Sequence, residues 1–432
     1  MKSVLRITIC LSLLTIHLFG QTWSALAGGC TGGSPSSVNS MCVYQSLLCV
    51  AGNFYDVDKN TKSWDGTAWD NSPAILTGLP AFFPLSIAVY HDSVFVGGTF
   101  TWTLNRDGIA KTILNLGWKA VGQGNGMNGG AVYAFAVYNG ELYAAGSFGT
   151  AGTISANNIA RWNGLRWDSV GNGLGGNVYS LAVFNNELYA GGTFGNGIYK
   201  WNGTTWSMVG SGVSITGSNG VFALDSCMGK LYVGGQFSTA GGISANNVAS
   251  WDGSAWSAVG LGTDQKVNAL CEYNGQLYSG GYFSVAGSVS ANHIASWNGS
   301  TWSSLSTGTN DIIYSLCQYN TELVVGGQFT TAGGISANAI AKWYSPSATG
   351  IEESHSLHSI KVSPNPTNNI LLIDQHGVAA TSICIYSMLG EKIYECPFSP
   401  SIDVSELPNG IYILKASNKA GHLIDYTRFI KQ

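Results

Sequence analysis

Residues 267–305 read VNALCEYNGQLYSGGYFSVAGSVSANHIASWNGSTWSSL, and four strands joined by two tight turns fit this stretch. Val267–Tyr273 makes a first strand. Asn274-Gly275 is a type I′ hairpin dipeptide, because that turn needs positive φ at both central positions. Gln276–Phe283 makes a second strand, and Ser284–Ala291 is a longer connection. His293–Trp297 makes a third strand, Asn298-Gly299 a second tight turn, and Thr301–Leu305 a fourth strand. The element small-Gly-x-Phe that closes the second strand recurs, ending at Phe54, Phe100, Phe148, Phe194, Phe237, Phe283 and Phe329. The spacings are 46, 48, 46, 43, 46 and 46 residues. A period in the forties with four short strands is the pattern of a propeller blade.

The tryptophans test this reading. A fourth-strand Trp stands at 23, 69, 118, 167, 206, 256 and 302, and a third-strand Trp at 64, 162, 201, 251, 297 and 343. In the second repeat that slot holds Ile113, and only Trp102 of the 14 tryptophans falls outside the pattern. Most of them are therefore packing residues between sheets. The seventh repeat stops at Trp343-Tyr344 without a fourth strand, while Thr22–Leu26 is a fourth strand with no repeat before it. Pairing the two would close a ring and leave no open sheet edge. The expectation is an all-β chain: a seven-bladed β-propeller over 21–345, closed by its N-terminal strand.

Composition agrees. Of 432 residues 58 are Gly, 45% are hydrophobic, 10% are charged, and the net charge is −4. That excludes disorder and a long coiled coil, and the absence of a basic patch argues against nucleic acid. Residues 1–20 read as a signal peptide, with Lys2 and Arg6 ahead of the apolar Ile7–Leu18. No stretch is long and apolar enough for a transmembrane helix. Ala27-Gly28-Gly29-Cys30 loosely resembles a lipidation site, but Cys30 lies ten residues or more beyond the apolar run.

Past Ser345 the composition becomes that of a linker, 346–358. A compact segment, 359–432, follows. It carries Pro364-Asn365-Pro366, a hairpin-like run around Leu389-Gly390, then Gly410-Ile411-Tyr412, and ends on Arg428-Phe429-Ile430-Lys431-Gln432. In that order these motifs resemble the type A C-terminal sorting domain of the type IX secretion system of Bacteroidota. The resemblance implies a small β-sandwich, recognised by the secretion machinery through Pro364, Asn365, Pro366, Gly390, Gly410, Tyr412 and Lys431. It also implies a product secreted or held on the outer-membrane surface of a Gram-negative bacterium. The LYxGGxF, TAGGxSANxIA and W(N/D)GxxW elements are similar to kelch-like propeller repeats of bacterial surface proteins. That likeness speaks to fold and not to function.

Function is sought where the repeat is broken. The long connections, second-to-third and fourth-to-first, emerge on one face, and loops on a rigid scaffold carry binding residues. Trp102 stands in such a connection beside Asn105, Arg106 and Asp107, so Trp102, Arg106 and Asp107 are candidates for stacking on a sugar or a peptide; packing of Trp102 on its own blade is the alternative. Tyr282 replaces the Asn, Thr, Ser or Gln of other repeats just before the loop. Asp225 replaces the Cys or Ala found at 42, 88, 136, 182, 271 and 317. It must be hydrogen-bonded or face water, and could hold a cation. Asp56-x-Asp58-x-Asn60 has the spacing that opens a calcium loop, with Thr67 where the loop would end in Glu; a polar turn is the alternative. No other cofactor is indicated. Cys384 and Cys396 stand symmetrically about Gly390 and could form a cross-hairpin disulfide. Cys42, Cys271 and Cys317 read as buried thiols. Glu141, Glu187 and Glu322 read as solvated turn residues. His91 and His293 lie near no Ser or Cys signature. The expected function is non-catalytic binding of an extracellular glycan or protein by a monomer. The alternatives are a polysaccharide lyase or hydrolase with its site in the central depression, and a structural or adhesive surface protein.

Overall fold

The computed structural model describes residues 21–32, 35–56, 59–69, 83–99, 108–113, 118–124, 126–216, 219–345, 360–363, 367–375, 380–387, 392–417 and 423–431. Two units separate at Ser347 and Ala348. No helix occurs among the described residues.

Within the first unit, seven antiparallel meander sheets follow one another among the described residues. In the sixth, Val267–Tyr273 pairs with Gln276–Gly281, then come Ile294–Trp297 and Trp302–Ser304. The long connection expected over Ser284–Ala291 is itself folded: Val285–Ala286 and Val289–Ser290 make a two-residue ladder. The first strands lie against one another in sequence: Ser37–Tyr44, Phe83–Tyr90, Val132–Tyr138, Val178–Phe184, Val221–Cys227, Val267–Tyr273 and Ile313–Tyr319, and the last lies against Ser37–Tyr44. In the seventh sheet the fourth strand is Thr22–Ala25, with Trp23 opposite Trp343.

Two kinds of bond recur between neighbouring sheets, each in five of the seven: the Trp69 and Trp118 indoles find no partner among the described residues, and Phe184 and Cys227 stand where the other first strands end in Tyr. The fourth-strand indole donates its Nε1–H to a carbonyl of the preceding sheet: Trp167 to Val121, Trp206 to Val170, Trp256 to Val209, Trp302 to Val259 and Trp23 to Leu305, all at 2.9–3.2 Å. The Tyr that ends the first strand donates to the next sheet's first turn, as Tyr90 does to Gly140 and Tyr273 to Thr321. Tyr319 reaches Ser46 of the first sheet at 2.9 Å. Apolar area supplies most of the cohesion, and the core is accordingly split into clusters between sheets. One holds Trp297 and Trp302, 5.4 Å apart, with Phe283 and Val259.

Three expectations change. Glu141, Glu187 and Glu322 are not solvated turn residues. Each pairs across its sheet with a third-strand cation: Arg161 (3.0 Å), Lys200 (2.9 Å) and Lys342 (2.9 Å). Their strand position sets this, because second-strand and third-strand residues of one face stand side by side. Cys42, Cys271 and Cys317, expected as buried thiols, are only partly buried, and Cys42 lies opposite the buried Cys49 in the first hairpin. The hydrogen bond with Cys49, together with burial, holds the Cys42 thiol well above the usual range.

The second unit has one sheet of Ile360–Ser363, Ile370–Gln375 and Ser401–Asp403, and another ordered Lys392–Pro397, Ser382–Ser387, Gly410–Ser417 and Leu423–Lys431. Leu371, Ile373 and Ile402 of the first share a core with Ile383, Ile385, Leu414 and Phe429 of the second. The Cys384–Cys396 disulfide is the third correction. Ile383 pairs with Cys396 and Cys384 with Glu395, so the two thiols, both free, point to opposite faces of the sheet.

Candidate functional site at the mouth of the central channel

The site begins with a missing Cβ. The second Gly of each Gly-Gly or Ala-Gly pair faces a backbone carbonyl at the start of its own sheet's first strand. A Cβ on Gly146 would lie 1.8 Å from Ala131 O, one on Gly192 2.0 Å from Asn177 O, and one on Gly281 2.2 Å from Lys266 O. Any side chain there would drive the strands apart. With glycine the carbonyl comes in and accepts the next N–H, as Lys266 O does from Tyr282 at 2.9 Å. The price is one extra residue in each first strand, a β-bulge. The register slips between Val132 and Ala134, Val178 and Ser180, Val221 and Ala223, Val267 and Ala269, and Ile313 and Ser315, with the same slip in the first two sheets.

The extra residues form a ring on the long-loop face: Asn39, Leu85, Tyr133, Tyr179, Phe222, Asn268 and Tyr314. All seven line a central cavity of about 240 Å³. Its floor is apolar, with Met41, Ile87, Phe135 and four leucines below a layer of Ser and Ala. The lining has neither a carboxylate nor a histidine.

Three consecutive members of the ring are aromatic and in contact. Tyr133 and Tyr179 have centroids 5.0 Å apart, and so do Tyr179 and Phe222. Lys266 then lies between two rings, its Nζ 4.6 Å from Phe222 and 4.5 Å from Tyr282. Tyr314 donates to Gln328 Oε1 at 3.2 Å; burial, and then the neighbouring Tyr282, raise its phenol far above the usual range. Beside this arc lies a hollow of about 370 Å³ lined by Gln236, Asn247, Asp264, Gln265, Lys266 and Tyr282. A larger hollow of about 570 Å³ on the rim of the third sheet borders Arg166, which already pairs with Asp168 at 3.2 Å.

Of the residues singled out in the sequence, Tyr282 is in this site. Trp102, Arg106, Asp107 and Asp58 lie outside the described residues. Asp56 ends a strand and pairs in register with Lys59, and Asn60 is 4% exposed. No group of three or more His, Cys, Asp or Glu suited to a metal occurs among the described residues. Asp225 is hydrogen-bonded. Its carboxylate accepts from Ser226 N (2.8 Å) and from Glu272 N of the next sheet (2.7 Å), and burial lifts its pKa to about 6. Of the sorting landmarks, Pro364, Asn365, Pro366 and Gly390 lie outside the described residues. Tyr412 is buried, donates to Pro408 O at 2.7 Å and stacks on Phe429. Lys431 is buried opposite Gly410.

Tyr133, Tyr179, Phe222, Lys266 and Tyr314 were missed. A signal existed. The slot between Val, Ile or (in the second repeat) Pro84 and a following Ser or Ala holds Asn, Leu, Tyr, Tyr, Phe, Asn and Tyr, while its neighbours vary far less.

Residues 361–432 match the family described as secretion system C-terminal sorting domain. Such a domain hands its carrier to the type IX secretion machinery, so the chain is exported by that route to the cell surface or the extracellular space. No curated protein matches the chain. Among solved structures it is similar to the extracellular domain of a hybrid two-component system protein of B. thetaiotaomicron, at TM-score 0.50 and 11% identity over 92% of this chain and 55% of that one. It is also similar to the WD40 β-propeller domain of Doa1 (TM-score 0.49, 14% identity, 76% and 98% covered) and to YCF48, solved bound to a D1 peptide (0.48, 13%, 75% and 99%). These likenesses concern the fold alone.

Proposed function

We propose that 21–345 is a seven-bladed β-propeller of kelch-like repeats closed by the strand Thr22–Ala25. On this reading it follows a signal peptide at 1–20 and, after a linker over 346–358, carries a β-sandwich sorting domain over 359–432. The exported protein binds an extracellular glycan or protein, without catalysis, on its long-loop face. What supports the closed ring is the run of contacts between first strands and the Trp23–Trp343 pair.

The observation that carries the binding reading is the arc Tyr133–Tyr179–Phe222 at the channel mouth. Three ring faces, half-buried and adjacent, suit the C–H faces of sugar rings. The glycan is therefore the favoured ligand. Trp102, Arg106 and Asp107, in the connection after Thr99, are proposed as a second contact on the same face.

The test is a glycan array with the full chain and its Tyr179→Ala, Phe222→Ala and Trp102→Ala variants, folding being checked by circular dichroism. Binding should fall at least tenfold in Tyr179→Ala and Phe222→Ala. Full binding in both would sink the channel-mouth reading, and sensitivity to a chelator would revive calcium at Asp56, Asp58 and Asn60.

A further inference from the structure

Two departures from the repeat meet at one place. The residue before the bulge's Val, Ile or Pro is Ser37, Phe83, Ala131, Asn177, Gly220, Lys266 and Ile312, so a cation stands there only in the sixth repeat. The residue after the Gly pair is Tyr only at Tyr282. In the structure Lys266 Nζ lies over Tyr282 and over Phe222 of the preceding sheet. Among the described residues no carboxylate lies within ion-pair distance of it. Burial alone lowers its pKa, which agrees with the absence of a charged partner.

The other groups of the hollow fit this picture. Asp264 accepts from Ser284 N (2.9 Å), Ser284 Oγ (2.7 Å) and Val285 N (2.9 Å), so its oxygens are engaged by the loop. Asp311, the nearby carboxylate of the seventh sheet, accepts from Ile312 N and Gln328 Nε2. The side-chain amides of Gln236 and Gln265 make no hydrogen bond with any described residue. An amide both donates and accepts, which is what a sugar hydroxyl requires.

We propose that this hollow binds an acidic saccharide, with a carboxylate of the sugar at Lys266 Nζ, hydroxyls at Gln236 and Gln265, and a neighbouring ring on the Tyr179–Phe222 row. The proposal rests on the channel-mouth reading and adds the ligand's charge to it. A peptide carboxylate would also satisfy Lys266; the saccharide is favoured because its hydroxyls and its C–H ring face lie on one rigid unit that meets the amides and the aromatic row together.

The experiment is calorimetry on the full chain. The probes are galacturonic, glucuronic and mannuronic acid oligosaccharides, each beside its methyl ester, which keeps the ring and removes the charge, and a set of short peptides with free C-terminal carboxylates. Wild type, Lys266→Met, Lys266→Arg and Phe222→Ala are compared. At least one acid should bind about 10-fold tighter than its ester. Lys266→Met should abolish that preference while ester binding persists, and Lys266→Arg should restore it. Raising salt from about 50 to 500 mM should weaken only the acid.

Acid and ester binding alike, or a preference that survives Lys266→Met, overturns the proposal. If that happens while Phe222→Ala still loses binding, the channel-mouth reading stands without it. No saccharide binding by a folded wild type overturns the proposal and the glycan reading together. Tighter binding of carboxylate-ended peptides than of any saccharide overturns the proposal in favour of a protein partner.

Discussion

Truncating Trp23 asks whether the N-terminal strand is structural. The indole is 9% exposed, packs 5.2 Å from Trp343 and donates to Leu305 O of the preceding sheet at 2.9 Å. Gly333 lies flat against it, since a Cβ there would stand 2.2 Å from its Cδ1. A buried Trp covers ~150–250 Å². At ~25 cal/mol per Å² this gives about 4–6 kcal/mol as an upper figure. Large-to-small core substitutions of this kind cost about 3–5 kcal/mol. The stranded Leu305 carbonyl adds ~1 kcal/mol.

Trp302 is the matched control inside one continuous repeat. It is 6% exposed, donates to Val259 O at 3.0 Å and packs 5.4 Å from Trp297. Trp23→Ala and Trp302→Ala should therefore agree within ~1 kcal/mol, each near the ~3–5 kcal/mol of such core truncations. Urea unfolding followed by far-ultraviolet circular dichroism reads both. If Trp23→Ala costs under ~0.5 kcal/mol, as a surface substitution does, the strand is an appendage and the closure argument fails.

Two further predictions follow from the bulge and from Asp225. Gly281→Ala places a Cβ 2.2 Å from Lys266 O. It should cost about 1–3 kcal/mol and weaken ligand binding at Lys266 and Tyr282; unchanged stability in urea together with unchanged binding would refute the role given to the glycine. Asp225 has its folded pKa raised to about 6 by burial. The folded state then holds the proton more tightly than the unfolded state, so this group's contribution is greatest at low pH and is lost as pH rises from about 4 to 6. The stability of Asp225→Asn relative to wild type should thus improve between pH 4 and pH 7. Parallel urea profiles across that range would contradict the assignment.

Much of the architecture was legible because it is periodic. The Phe and Trp slots recur every forty-odd residues, and each repeat can bury them only against its neighbours. The missing fourth strand after Trp343 and the orphan strand at Trp23 likewise announce their pairing in one dimension. The ion pairs of Glu141, Glu187 and Glu322 were not legible, because their partners lie 13 or 20 residues away on another strand. Nor was the fate of Cys384 and Cys396. Symmetry about Gly390 suggests they face each other, but the hairpin is one residue out of that register, and one residue changes the face.

The sequence by itself determined the repeat, the residues that pack it and the signal for export, since each is written as local pattern. Which side chains meet at the channel mouth was decided only in three dimensions. Tyr133, Tyr179, Phe222, Lys266 and Tyr282 come from four different sheets, and their spacing along the chain carries no trace of their contact. They converge because a glycine in each sheet admits a carbonyl, the carbonyl forces a bulge, and the ring of sheets turns every bulge toward one axis.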